Sequence, residues 1–289
     1  MTLEQLRIFL EVADQQHITR AAEALNMTQS AVSAAIAALE NRHGVKLFDR
    51  VGRSIVLNPI GSAFRAEARS VLDRARSAEN ALDDLSGLRR GRLSVMASQT
   101  IASYWLPQRL VAFRRAYPQV ELDLGFTNTN LVADGVQSGR AELGLVEWLV
   151  ERPTLSTTLL GEDEMVVVVG TRHEWAGRLV VTEDLGSTRW VVRESGSGTR
   201  AAFDGMMQRA GVAHPDIALE LPGNEALLGV VEAGLGATLL SRDVARAHIA
   251  AGLLSVVDTP PVRRSFYILR HKERHRTRAA EAFLSLADA

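Results

Sequence analysis

No cysteine occurs in the 289 residues. That absence excludes disulfides, thiolate metal sites, cysteine nucleophiles and thiol-based redox sensing together. Lysine is nearly missing as well: Lys46 and Lys272 are the two, so 31 of the 33 basic side chains are arginine. No apolar run reaches the roughly 18 residues that span a bilayer, and the N-terminus lacks the basic-then-apolar signature of a signal peptide. A soluble, cytoplasmic protein without a membrane partner is therefore expected. Catalytic signatures are absent too. There is no H-E-x-x-H and no G-x-S-x-G, and nothing pairs a general base with an orienting group, so an enzyme is not expected. No cofactor is expected. His271 and His275 stand four apart in a basic stretch, where a solvated face outweighs a metal site.

A hydrophobic fraction of 46% and a charged fraction of 23% describe a globular chain, and its length allows two or three domains. The 33 basic and 34 acidic side chains nearly cancel, but unevenly. Residues 1–90 carry 12 basic against 11 acidic, residues 91–262 carry 14 against 20, and residues 263–278 carry seven against Glu273 alone. None of this is the high-pI footprint of a nucleic-acid binder. The basic stretch 263–278 reads as surface, as does the acidic run Glu162-Asp163-Glu164.

Leu3, Leu6, Phe9, Leu10 and Ala13 recur at helical spacing, and a short helix carrying Ala21, Ala22 and Leu25 follows. Thr28 then caps a third helix to about His43, with Val32, Ala35, Ile36 and Leu39 buried. Gln29, Ser30, Ser33 and Ala37 occupy its other face. Gln suits adenine and Ser suits either base type, so the face is competent for major-groove readout. Strands at Lys46–Phe48 and Ser54–Leu57, with Arg50 and Arg53 between them, outline a wing for phosphate or minor-groove contact. The pattern fits a winged helix-turn-helix and, equally, a three-helix subdomain with an ordinary hairpin. From Pro59 to about Leu88 the chain reads as one helix. Phe64, Ala68, Val71, Ala75, Ala78, Leu82 and Leu85 form a heptad seam for dimerisation, the alternative being a long helix packed on its own chain.

Beyond residue 90, strands are expected at Arg92–Ala97, Val120–Phe126, Leu143–Glu147, Met165–Val169, Trp190–Arg193, Ile217–Leu221, Ala237–Ser241, Leu254–Val257 and Phe266–Arg270. Helices between them make an α/β architecture with largely parallel sheets, divided between two subdomains and a cleft. Ligands bind beyond strand C-termini in such sheets. Four polar segments fall there: Ser98-Gln99-Thr100, Thr127-Asn128-Thr129, the Gly/Ser loop 193–200, and Pro222-Gly223-Asn224. Each by itself fits plain helix capping. Together they favour a small-ligand cleft, with helix N-termini available to an anion.

These residues carry a resemblance. The stretch ITRAAEALNMTQSAVSAAIAALENRHGVKLFDRVGRSIVLNPIG is similar to the winged helix-turn-helix of LysR-type transcriptional regulators, through Ala21-Ala22, Leu25, Gln29, Ala31-Val32, Ser33, Ile36, Leu39-Glu40, Gly44, Leu47-Phe48 and Arg50. The likeness extends over essentially the whole chain. It implies a multi-domain α/β protein: a winged helix-turn-helix (1–58), a linker and dimerisation helix (59–90), and a regulatory region (91–289) resembling periplasmic binding proteins. That region would divide into subdomain I, about 91–163 and 267–289, and subdomain II, about 164–266. The implied partners are double-stranded DNA at a two-fold promoter site, a small effector, and further copies forming a dimer and then a tetramer. DNA contacts carry over to Thr28, Gln29, Ser30, Ser33, Arg50 and Arg53. Ser30 departs from a frequent Pro, Ala34 from a polar or basic residue, and Asn58-Pro59-Ile60-Gly61 from Thr-x-x-Gly. The segments SQT, FTNTN, GLVEW and RESGSGTR are similar to the branch governing sulfur assimilation and carbon fixation, which responds to small anions or phosphorylated metabolites. That likeness makes Ser98, Gln99, Thr100, Asn128, Glu147, Ser195, Gly198, Thr199 and Asn224 the candidate effector contacts. The competing reading is a solute-binding module whose N-terminal helices serve assembly.

Overall fold

The computed structural model describes residues 1–52, 54–85 and 91–287, without the side chains of residues 80, 81, 83–85 and 287. Arg53, residues 86–90 and the side chain of Leu85 thus lie outside the described residues. Among the described residues, no helix is long and apolar enough to cross a membrane.

The N-terminal unit begins with helix α1 (Leu3–Gln15), closed by a capping box in which Thr2 and Gln5 satisfy each other's backbone N–H. Helices α2 (Ile18–Ala24) and α3 (Gln29–His43) follow, joined by a turn through Asn26 at φ 53°. Gly44 ends α3 at φ 65°, a left-handed conformation that glycine adopts without strain. Strands β1 (Phe48–Val51) and β2 (Ser54–Leu57) pair antiparallel as a wing. The first strand starts later than its apolar pattern predicts. Buried Glu40 accepts the Leu47 N–H at 2.9 Å and the Lys46 ammonium at 2.6 Å, while Asn58 N–H takes the Leu47 carbonyl. Residues 46 and 47 are thereby held off the ladder.

Helix α4 (Pro59–Leu85) starts on Asn58, whose Oδ1 accepts the Gly61 N–H and whose Nδ2 donates to the Lys46 carbonyl, both at 2.8 Å. Its heptad seam is split. Ala68 is buried and Phe64 half-buried within the unit's own core, where Phe64 meets Phe9 at 5.0 Å between centroids. Leu72, outside the seam, joins that core. Val71 and Leu82 remain 41% and 69% exposed, Ala75 is half-buried and Ala78 exposed.

The second unit is built on one mixed sheet in the order β4-β3-β5-β11-β6-β9-β7-β8, with β10 on the side of β6. Strands β3 (Gly91–Ser98), β4 (Val120–Thr127) and β5 (Leu143–Val146) are mutually parallel. Helices α5 (Leu106–Ala116) and α6 (Thr129–Ser138) connect them. Strands β7 (Arg189–Arg193), β8 (Asp216–Leu221) and β9 (Ala237–Ser241) form a second parallel set, with α7 (Gly198–Arg209), α8 (Asn224–Glu232) and α9 (Arg242–Ala250). The middle is antiparallel, which the expectation of largely parallel sheets did not include. Strand β6 (Leu155–Gly170) runs from the first set to the second, β10 (Leu254–Val256) pairs with it, and β11 (Val262–His271) runs back. Only the last third of β6 is continuously buried; half-exposed Ser156, Thr157 and Leu160 hide its first half from hydrophobic pattern. A C-terminal helix, α10 (Arg278–Ala287), packs Phe283 against Phe113.

Apolar cores lie against each parallel set: Leu93, Val95, Leu143, Leu145, Phe266 and Phe283 against the first, and Val167, Trp190, Phe203 and Leu239 against the second. Both charge runs differ from their expected surface placement. Strand alternation turns Glu162 and Glu164 outward but buries Asp163, and it turns Arg263 outward but buries Arg264. Farther along, the Arg274 guanidinium caps the end of α6 at the Val136 and Gln137 carbonyls, and Lys272 donates to the Pro153 carbonyl.

Two outcomes follow from this packing. A Cβ at residue 61 would lie 2.0 Å from the Leu47 carbonyl oxygen, so Gly61→Ala must push the linker helix off the wing. It is expected to cost more than Asn58→Ala, a lost cap worth about 1 kcal/mol, in urea unfolding followed by hydrogen exchange of residues 1–80. His173 accepts the Trp175 N–H on Nδ1 and meets Thr188 Oγ1 through Nε2, each at 3.1 Å. Burial holds its imidazole below the ordinary 6.5, against the opposing pull of Glu174. The neutral ring therefore stabilises the fold above pH 6.5, and that increment is lost as pH falls through the lowered value. Melting curves from pH 7.5 downward should show it in the native chain and a smaller slope in His173→Phe.

Candidate functional site

The face of α3 expected to contact DNA is solvent-exposed at Gln29, Ser30 and Ser33, as is its cap Thr28. Thr28 Oγ1 accepts the Ala31 N–H at 3.2 Å and lies 3.1 Å from Ser30 Oγ, so the cap and the first turn share one hydroxyl pair. Gln29 and Ser33, one turn apart, stand on the exposed side opposite Val32 and Ile36. Arg50 is exposed on β1, directly opposite Ile55.

A second site forms where the parallel strands end. Register pairs Ser98 with Thr127 and Ala97 with Leu145, which sets Ser98-Gln99-Thr100, Asn128-Thr129 and Glu147 side by side at one sheet edge. Beyond Thr100 the chain makes a π-helical turn (Ile101–Trp105) before α5; such wide turns recur at functional sites. The second strand set approaches the same edge. Gly196 O accepts the Asn130 N–H at 3.2 Å, and a Cβ on Gly198 would fall 2.6 Å from Glu147 Cγ. On the other side, a Cβ on Gly223 would meet Gln99 Oε1 at 3.7 Å. Glycine at 198 is what lets the start of α7 approach the end of β5 so closely.

The enclosed edge is polar. Ser98, Thr100, Thr129 and Glu147 are each at most 3% exposed, and Ser98 Oγ, Thr100 Oγ1, Thr129 Oγ1 and Glu147 Oε2 have no hydrogen-bond partner among the described residues. Buried polar atoms without partners are costly and rare in folded proteins. All four come from the first strand set. Across from them most polar groups are paired internally, although Arg264 Nη2 makes an ion pair with Asp163 Oδ2 at 2.7 Å and no hydrogen bond among the described residues. Buried Arg193 grips Glu194 through Nε and Nη2 and donates from Nη1 to Asn224 Oδ1 at 2.6 Å. Buried Arg264 donates from Nη1 to Thr199 Oγ1 at 3.0 Å and from Nε to Asp163 Oδ2 at 2.7 Å, while Ser241 donates to Asp163 Oδ1 at 2.8 Å. Burial pushes the Asp163 carboxyl up, opposed by Arg264 and Ser241.

Eight of the nine candidate effector residues therefore meet at this edge: Ser98, Gln99, Thr100, Asn128, Glu147, Gly198, Thr199 and Asn224. Asn128 spends its Oδ1 on the Leu131 N–H, as a cap for α6. Ser195 is exposed, and its N–H points to Glu220 Oε1 at 3.4 Å, a carboxyl that Arg200 holds below the usual range. The candidate effector contacts left out Thr129, Arg193, Asp163 and Arg264. Thr129 and Arg193 lie in polar segments already read at the strand ends, but neither was chosen as a contact. Asp163 and Arg264 had no local signal.

Comparison with known proteins gives the family. Residues 3–62 match the bacterial regulatory helix-turn-helix protein, lysR family, and residues 86–289 match the LysR substrate binding domain. The uncharacterized HTH-type transcriptional regulator YeiE of Escherichia coli (strain K12) is 35% identical over 294 residues, covering 100% of this chain and 97% of that one. The HTH-type transcriptional regulator CbbR of Rhodospirillum rubrum is 31% identical over 292 residues, covering 99% and 96%, and places the chain close to carbon-fixation regulators. Among solved structures, the Synechocystis PCC6803 CcmR regulatory domain in complex with 2-PG superposes with a TM-score of 0.62 at 25% identity, over 68% of this chain and 95% of that one. These relatives are regulators, not enzymes. The chain belongs to the LysR-type transcriptional regulators.

Proposed function

We propose that this regulator reads a two-fold promoter site in double-stranded DNA through α3 and the wing, and that a small anionic effector in the polar chamber at the strand ends sets its output. The four buried, unpartnered oxygen atoms of Ser98, Thr100, Thr129 and Glu147 carry the effector reading. Three hydroxyls beside the starts of the π-turn and α6 can donate to an oxyanion, with helix N–H groups behind them. The acidic neighbours do not forbid an anion. Glu194 is neutralised by Arg193, and Glu147 faces Arg264 at 3.6 Å. The open Glu147 oxygen further calls for a donor, so the favoured ligand is an oxyanion that also bears an O–H. CcmR's complex with 2-PG supports a small ligand at this kind of domain.

The division into a reading domain (1–58), a linker helix (59–90) and two regulatory subdomains gives these sites separate tasks. Exposed Val71 and Leu82 on α4 support dimerisation beyond the point where Phe64 and Ala68 are consumed by the core. A dimer presents two reading helices to a two-fold site, and assembly to a tetramer lets effector closure change the spacing of its DNA-binding pairs and the bend they impose. The protein would do this on DNA in the cytoplasm.

Two measurements test these halves. In gel shifts against the DNA upstream of its own gene, Gln29→Ala should weaken specific binding by about 1–3 kcal/mol while sparing nonspecific binding; equal losses on both would remove Gln29 as a base reader. In thermal-shift titrations with sulfate, sulfite, 2-PG and sugar phosphates, at least one anion should raise the melting temperature of the native chain, and Glu147→Gln should change the rank order among them. No stabilisation by any anion would reject the anionic effector.

A further inference from the structure

One feature of the basic stretch 263–278 takes no part in DNA reading or in effector contact as described above. The Arg264 side chain is 0% exposed, a placement that demands good partners for a charge. It sits on β11 directly opposite Asp163 of β6, two residues before the ladder changes register between Phe266 and Tyr267. Gly161 pairs with Phe266 and Leu159 with Tyr267, so Leu160 has no opposite residue. The irregularity lies where the two long strands pass from one parallel set to the other, the natural place for them to bend.

The groups around Arg264 come from every neighbouring element. Asp163 of β6 is the ion-pair partner, 2.7 Å from both Nε and Nη2, and Ser241 of β9 braces that carboxylate. Thr199 of α7 accepts from Nη1, and the Phe266 ring lies 5.9 Å away on β11. All of these lie on the crossover or in the second strand set. The remaining neighbour, Glu147, belongs to the first set, and its Oε1 stands 3.6 Å from Nη1, an ion pair without a hydrogen bond. Arg264 is thus rigidly held on one side and loosely engaged on the other, and the loose partner is the residue with an open oxygen in the chamber.

We propose that Arg264 is a positioning residue of the effector response, and that its contact with Glu147 is a latch between the two halves of the regulatory region. This inference rests on the effector reading of the chamber. An occupant that donates a hydrogen bond to Glu147 moves that carboxylate relative to a fixed guanidinium. The displacement is felt at Asp163, beside the irregular step of the crossover, and so alters the angle between the halves. Coulomb attraction at this separation acts without the directional demand of a hydrogen bond, which suits an adjustable contact.

The absence of native cysteine makes a direct test simple. Spin labels on Glu121→Cys in β4 and Gln208→Cys in α7, both exposed, report the distance between the halves in the full-length chain. Dilution into unlabelled protein removes signals between subunits. The chain with native Glu147 and Arg264 should give one narrow distance distribution. Glu147→Gln, which keeps shape and removes the charge, should broaden it roughly twofold in a chain that still folds. Arg264→Lys should do the same. If Arg264→Lys does not fold, the neutral pair Asp163→Asn with Arg264→Met takes its place. An unaltered distribution in Glu147→Gln overturns the latch, including the case where only the Arg264 variants broaden, because Arg264 is then a structural residue alone. Gel shifts on the same samples report DNA reading separately. Broadening in a chain that binds no specific DNA would support the latch and reject the regulator's proposed reading.

Discussion

Two antiparallel strands, β6 and β11, hold the regulatory region together, because each parallel strand set has its own core and the chain must cross between them twice. Ten paired positions along β11 tie the outgoing strand to the returning one. The Arg264 contacts depend on that pairing. It places Arg264 opposite Asp163, aims the guanidinium at Thr199, and brings the end of β5 within reach of the start of α7. The buried ion pair is a specificity device as much as a stabilising one: it has a partner in only one register, since a one-residue slip would turn both charges to the opposite face.

The chamber is asymmetric in how its polar atoms are satisfied. On the side of β7 and α8, Arg193 donates to Asn224 and Arg264 donates to Thr199. On the side of β3, β4 and β5, hydroxyl and carboxylate oxygens are buried without partners. Desolvated groups of that kind are stabilised by a ligand or by water. The glycines at 198 and 223 let the two sides approach closely.

In the N-terminal unit, much was legible from local pattern: the three helices, the Thr28 cap, the Gly44 stop and the exposed row at Gln29 and Ser33. Those features depend on contacts within a few residues, so spacing and capping chemistry carry them. The heptad seam of α4 was read only in part. Its repeat is real in sequence, yet Phe64 and Ala68 face the unit's own core and Leu72 joins them, because a helix that packs on its neighbours rotates its buried stripe away from a strict a/d line. Strand β6 was underestimated for a related reason: its first half is half-exposed, and hydrophobicity marks only what ends up covered.

By itself, the sequence determined the family, the order of the two matched domains, the three N-terminal helices and the polar segments at the strand ends, since each is encoded in short motifs. Tertiary structure alone decided which charges are buried. Asp163 and Arg264 stand 101 residues apart and each sits in a run of like charge that reads as surface. Alternation along a strand turns one residue of each run inward, and only the pairing of two distant strands makes those two residues neighbours. No local pattern records such a meeting, because burial and ion pairing are properties of the assembled sheet.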